Sequence, residues 1–326
     1  MEGRMVVTDP ATRKMALSQV THNLAQELAM PVAPEVTLFV KQMLGAVRPM
    51  GVLFYGSGLR SGIDEDTLLD FYIIVRRQAD WPRSRLACIA NAVMPPNVEY
   101  QELKVAGRTM RAKVAILSLT QLHALTGFSA VNTTVWARFS QPVRLVWQNN
   151  AQAEQLITQC IVRANVTAAK WAALLGPDKA SPIAFWSALY ASTYKAELRV
   201  ENGQRSNSLV EANLDRYRHM LLPCWQIAGI NFEQDASSVA PILSVQQKEK
   251  AQRQWRLRAG LGRPLNILRL IKAVYTFKGS ARYAAWKVRR HSGIEIVLSP
   301  FAEKHPLLAA PPVLWKLWRG GAFRQR

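Results

Sequence analysis

Residues 50–75 read MGVLFYGSGLRSGIDEDTLLDFYIIV, two apolar runs joined by a polar, acidic connection. The first run, Met50 to Tyr55, stops at Gly56-Ser57-Gly58, the pattern of a buried strand entering a tight loop. The second, Leu68 to Val75, reads as another strand and carries a carboxylate, Asp70, among apolar neighbours. Upstream, apolar residues three and four apart predict amphipathic helices over 16–30 and 35–47. Downstream, Arg108 to Leu119 reads as a later strand. The uncharged stretch from Val114 to Ala137 holds Ser, Thr, Gln, His and Asn throughout, so it reads as strand, loop and helix and not as a membrane span. From Gln152 to Tyr217 the chain turns helical, and Asp235 to Pro241 reads as a polar linker.

The 326 residues are 49% hydrophobic and 20% charged, with 17 Gly and 17 Pro, which excludes disorder, collagen and a disulfide miniprotein. Charge is the outlier: 42 Lys and Arg against 22 Asp and Glu leave a net +20, so polyanions are the expected partners. Residues 1–150 carry 16 basic and 11 acidic side chains, residues 151–326 carry 26 and 11, so the excess lies in the C-terminal half. Cys88, Cys160 and Cys224 form no CxxC pair, and the five histidines are dispersed, so neither a disulfide framework nor a zinc site is expected. Met1 to Lys14 has no apolar core, so it does not read as a secretory signal.

A strand ending in Gly-Ser, a short helix start and a second strand bearing an Asp is the layout of nucleotidyltransferase-fold active sites. Attack on a nucleotide's α-phosphorus needs backbone N–H groups close to phosphate oxygens, which Gly56 and Gly58 permit, and a hydroxyl donor such as Ser57. It also needs a carboxylate for Mg²⁺, and Asp70 suits that role. The usual second carboxylate, two residues on, is Tyr72 here; Asp64, Asp66, Glu99 and Glu102 are alternatives. The plainer reading stays open: the Gly-Ser-Gly is a turn and Asp70 a strand-end cap.

Further pieces, in order, resemble the mitochondrial-type phosphatidate cytidylyltransferases, the peripheral CDP-diacylglycerol synthases of the translocator assembly and maintenance group. They are Phe54 to Gly58, Leu69-Asp70-Phe71, Trp81, Lys113 to Ser118, Ala137 to Arg144, and Tyr194 to Arg199. Two departures stand out: Glu197 occupies a position where the family has Asp, and Arg83-Ser84-Arg85 replaces a Lys-rich stretch. The resemblance implies CTP and phosphatidate as substrates, Mg²⁺ as cofactor, and catalytic roles for Asp70, Lys113 and Glu197. Nucleotide contacts are expected from Gly56, Ser57, Gly58, Asn132 and Arg138. Each has a bland alternative: Glu197 in a surface ion pair, Lys113 as an edge lysine, Arg138 as a loop arginine, Asn132 as loop punctuation.

Residues 251–290 hold 11 basic side chains and no acid, interleaved with Trp255, Tyr275, Phe277, Tyr283 and Trp286. Three readings remain: a solvated helix face, a nucleic-acid surface, or a membrane-docking surface using Arg269, Lys272, Arg282 and Lys287 with Trp315 and Trp318. The apolar stripe Leu261, Leu265, Leu268 and Ile271 favours the membrane or a packed helix over nucleic acid. The expected architecture is α/β: a nucleotidyltransferase-fold domain with a mixed sheet (1–150), a mainly helical domain (151–240), winged-helix-like in one reading, and a basic amphipathic membrane-docking region (241–326). A peripheral protein on the cytoplasmic face of a bacterial inner membrane is the expected setting, with the matrix side of the mitochondrial inner membrane as alternative. Transfer to a soluble or RNA acceptor, and a non-catalytic scaffold, are the rival functions.

Overall fold

A computed structural model of the chain describes residues 4–60, 62–64, 67–197, 209–276, 279–292 and 298–304. In chain order the described strands are β1 (Arg4–Val6), β2 (Gly51–Tyr55), β3 (Leu68–Val75), β4 (Asn97–Val105), β5 (Arg108–Ser118), β6 (Arg144–Gln148), β7 (Phe232–Gln234) and β8 (Val239–Pro241). The helices are α1 (Pro10–Ala29), α2 (Pro34–Leu44), α3 (Ser57–Arg60), α4 (Arg85–Val93), α5 (Leu119–Leu125) and α6 (Thr134–Phe139). They continue with α7 (Ala151–Leu175), α8 (Pro182–Glu197), α9 (Leu214–Ile227), α10 (Val245–Thr276), α11 (Ser280–Ser292) and α12 (Pro300–Lys304). The α/β class expected from the sequence is the class the chain adopts. Among the described residues no helix is long and apolar enough to cross a membrane.

The chain groups into two compact units, each discontinuous in sequence: Met1–Pro31 with Ser118–Leu268, and Val32–Leu117 with Arg269–Arg326. In the first, α1 starts at an Asp9 cap whose carboxylate accepts from the Thr12 N–H at 2.7 Å, with Pro10 pre-set at the first helical position. It buries Ala16, Val20, Leu24 and Leu28, one face at a four-residue spacing, and packs on α7 and α9. Helix α7 begins at Asn150, which accepts from the Ala153 N–H at 2.8 Å, and buries Trp171 among small alanines. Asp235 to Pro241, read above as a linker, instead closes the β7–β8 hairpin. The Asp235 carboxylate accepts from the Ser237 and Ser238 N–H groups and meets Lys179 at 2.9 Å, so its polarity serves a turn.

In the second unit, four strands of the chain's five-stranded sheet run in the order β4-β5-β3-β2. β3 is almost wholly buried from Leu69 to Val75, as its continuous apolar run requires. Helix α2 buries Val36, Phe39, Val40 and Leu44, and its Phe39 ring stacks on Phe71 of β3 at 5.8 Å. Strand β4, which the sequence reading passed over, buries Glu99.

Candidate functional site

The β2–β3 pairing sets Tyr55 opposite Asp70, so the carboxylate stands beside the point where β2 ends. There Gly56 takes φ +91°, a backbone region that L side chains rarely adopt. A Cβ on Gly56 would lie 2.6 Å from Asp70 Oδ2. Glycine is therefore demanded twice, by the turn and by the close approach of the carboxylate. Gly58 is buried, where a Cβ would meet Leu69, Phe54 and Thr67 at 3.2, 3.3 and 3.4 Å, and Ser57 is exposed at the start of the one-turn helix α3. Tyr72, where a second strand carboxylate would stand, is buried with its ring 5.5 Å from that of Tyr55.

Lys113 on β5 lies opposite Tyr100 on β4, whose ring is 5.6 Å from Tyr283 on α11. Burial pushes the Tyr283 phenol up, and the negative charge of Asp70 pushes it further. Gly56, Ser57, Gly58, Asp70, Tyr283, Tyr100 and Lys113 all belong to the second unit. Tyr283 was read as an interleaved aromatic and not as a site residue. A signal for this face did exist: Thr109, Arg111 and Lys113 alternate with buried residues along β5, the two-residue period of one sheet face.

The alternative metal carboxylates have other work. Glu99 is sealed with Arg83 at 2.8 Å and accepts from the Trp81 indole at 3.2 Å and from Gln101 at 2.9 Å. Trp81 and Arg83, noted above for their family likeness and departure, are thereby explained as partners of one buried charge. Glu102 pairs with Arg111 at 3.2 Å and accepts from the Tyr100 hydroxyl at 2.8 Å. Asp64 is exposed and accepts from Thr67 at 2.5 Å, and Asp66 lies outside the described residues. Among the described residues no three His, Cys, Asp or Glu side chains converge on one point. Mg²⁺ takes one or two carboxylates and completes its shell with substrate phosphates and water, so a single Asp70 seated against Gly56 is a donor set that fits it.

Asn132, Arg138 and Glu197 belong to the first unit. The Asn132 side-chain oxygen accepts from the Thr134 N–H at 3.1 Å, while its buried amide nitrogen has no hydrogen-bond partner among the described residues. Arg138 is half-buried on α6, and the side chain of Glu197 lies outside the described residues. The segment ending at Arg144 borders a sealed network. Arg216 donates to Glu27 at 2.5 Å, to the Ser140 carbonyl at 2.9 Å and to Asn165 at 3.3 Å. Burial alone would lower the Arg216 guanidinium, but Glu27 and Tyr217 beside it hold it above its usual range.

The basic aromatic segment is partly consumed by packing. Trp255 sits 5.2 Å from Trp171 and 6.4 Å from Trp136. Arg258 lies over the Trp171 ring at 4.7 Å and donates to the carbonyls of Ala130 and Phe128, both at 3.1 Å. Lys272 donates to the carbonyls of Met94 and Pro96 at 2.5 and 2.6 Å. Arg269 is half-buried and Arg282 exposed; the Lys287 side chain, Trp315 and Trp318 lie outside the described residues. Of the apolar stripe on α10, Leu261 and Leu268 are 38% and 48% exposed, Leu265 is half-buried and the Ile271 side chain lies outside the described residues; Leu257, one turn before Leu261 on the same face, is 60% exposed. No protein-family model matches this sequence, and no curated protein matches it.

Proposed function

We propose that the chain is a nucleotidyltransferase that moves the cytidylyl group of CTP onto phosphatidate, giving CDP-diacylglycerol and pyrophosphate. The observation that carries the transfer chemistry is the seat of Asp70 against Gly56, where only a glycine leaves room for the carboxylate at the mouth of the β2 loop. In this reading a phosphatidate oxygen attacks the α-phosphorus in line and pyrophosphate leaves, while the Gly56–Gly58 loop with Ser57 grips the departing phosphates. A phosphomonoester is already ionised near neutral pH, so no strong general base is required. Asp70 is the residue that would hold Mg²⁺, which supplies charge neutralisation on the nucleotide's phosphates when bound. Lys113, in the middle of the neighbouring strand β5, is assigned a point-charge contact to phosphate.

The lipid acceptor is supported by the exposed Leu257, Leu261 and Leu268 stripe on a helix whose charged residues are mostly basic, the composition of a surface that docks on anionic bilayers. The test uses CTP radiolabelled at its α-phosphate, phosphatidate vesicles and Mg²⁺, comparing the native chain with Asp70→Asn. Label entering a chloroform-soluble product, lost in the variant, is the expected result. Label entering a water-soluble product would move the reading to another acceptor. No transfer by a folded, vesicle-bound protein would overturn it.

A further inference from the structure

Within the first unit, α1, α5, α7 and the end of α9 surround an open cavity of about 720 Å³. Leu17 and Ala25 of α1, Val162 and Val166 of α7 and Ile227 of α9 form its apolar lining. On α7 the lining residues recur three and four apart from Gln155 to Lys170, so the cavity is a trough that follows one helix face for about 22 Å. Two cations share one part of it. The Arg163 guanidinium lies against Gly127, where a Cβ would come within 2.8 Å of its Nε, and the Lys170 ammonium sits 4.5 Å from the Phe128 ring centre. Two helical turns apart on α7, they are thus brought to consecutive residues of the loop after α5. Among the described residues neither side chain has an ion pair. We infer that the trough binds a long-chain carboxylate, with its acyl chain along α7 and its head group between Arg163 and Lys170.

Charge and shape select the ligand. Like charges held side by side repel, and an anion between them turns that cost into attraction. Glu154 also lines the trough, in the first turn of α7, about 14 Å along the axis from Arg163 and 24 Å from Lys170. It leaves the lining at a net +1 with His123 neutral, which suits a monoanion better than a phosphomonoester at about −1.5 to −2. It would also repel a second anionic group at that end, so the ligand has one charged head and an apolar tail. Thr158 and Thr167 donate their hydroxyls to the Glu154 and Thr126 carbonyls at 2.8 and 2.9 Å and call for no further partner. The volume falls within the ~300–1,000 Å³ of small-molecule sites, in which apolar walls supply affinity and a few polar groups fix orientation. The inference stands apart from the transfer reaction proposed above, whose Gly56 and Asp70 belong to the second unit.

The test is calorimetric titration of the full chain with dodecanoate below its micellar concentration, and saturable binding at one site is expected. Arg163→Gln and Lys170→Gln should each raise the Kd about tenfold, as loss of a charge-assisted contact does. Arg163 is exposed, Lys170 half-buried, and Gln is a good helix former, so both variants should keep the native circular dichroism and unfolding midpoint. Dodecanol keeps the chain without the charge. It should bind more weakly than dodecanoate to the native chain, and with the same Kd to both variants. A second readout is the ¹³C resonance of carboxyl-labelled dodecanoate: between two cations the bound acid should titrate at lower pH than the free one, and the difference should vanish in the double variant. No saturable binding, a Kd unchanged in the double variant, or dodecanol binding as tightly as dodecanoate would overturn the site. So would binding of phosphatidylglycerol vesicles that the double variant weakens, with no binding of dodecanoate, since the face would then serve a membrane surface.

Discussion

In the first unit, Glu27 is bound to Arg216 at 2.5 Å, and the arginine's remaining donors go to the Ser140 carbonyl and Asn165. In the second, Asp70 is half-buried beside Gly56, where the backbone turns at φ +91°. The two carboxylates thus differ in what confines them. Around Glu27 the geometry closes on itself: a half-buried cation, a half-buried anion and a backbone acceptor use one another's hydrogen-bonding capacity. Around Asp70 the backbone bends to admit the carboxylate at the end of a strand, beside an exposed serine. The first arrangement supports the fold, and the second is the one the proposed transfer reaction would use.

The sharpest way to break this comparison is Glu27→Gln, which leaves Arg216 without its counter-charge inside the first unit. Removing one partner of a buried pair costs about 3–5 kcal/mol, and urea unfolding should show a loss of that order. A loss below ~1 kcal/mol would mean that water reaches the network and the contrast with Asp70 is false. Gly56→Ala comes next. The positive φ costs about 1–2 kcal/mol of stability. The added Cβ, however, displaces the Asp70 carboxylate from a contact of 2.6 Å, and cytidylyl transfer should fall about 100-fold. Equal activity in the folded variant would remove Asp70 from the site.

A smaller effect concerns Lys272, whose ammonium is lowered to about 8 by burial, then by Arg269 and Arg83. The unfolded chain titrates this group near 10.5, so between about pH 8 and 10.5 the unfolded state binds more protons and the lysine's contribution to stability rises with pH. Lys272→Met should flatten that part of the stability profile, measured by unfolding at a series of pH values; an unaltered slope would count against a desolvated ammonium. The mildest test separates the two units by thiol chemistry. Burial pushes Cys160 up to about 11 and Cys224 up to about 12, both in the first unit, whereas Cys88 in the second is half-buried. Brief alkylation of the native protein should label Cys88 first, read by peptide mass mapping. Early labelling at Cys160 or Cys224 would show that the first unit opens more readily than its packing implies.

Strands β2 and β3 were legible as apolar runs, interrupted in β3 by Asp70 alone, and β5 by its apolar second half, Val114 to Leu117, after alternating polar residues. Strand β4 was not, because Glu99, Glu102 and Lys104 make NVEYQELKV look exposed. Only the Arg83 partner, 16 positions away in sequence, makes burial of Glu99 tolerable. Helix α1 begins six residues before its apolar periodicity, at a cap and proline whose local signal is independent of any buried face. The hairpin at Asp235 was misread because turn residues and linker residues share a composition. Of the candidate site, Gly56, Ser57, Gly58 and Asp70 could be named from their order along the chain, since neighbouring strands bring them together. Tyr283 could not, because it comes from a helix more than two hundred residues later.

The sequence by itself determined the strand–loop–strand element, the glycine at its turn and the single strand carboxylate, all of which depend on local periodicity and backbone freedom. It also set the excess of positive charge, which is a matter of composition. Only the tertiary structure decided what those cations do. Arg258 is spent on backbone carbonyls and an indole, Lys272 on two more carbonyls, and Arg163 and Lys170 line a cavity. Desolvation and partner geometry settle such roles, and both arise from contacts between residues distant in sequence.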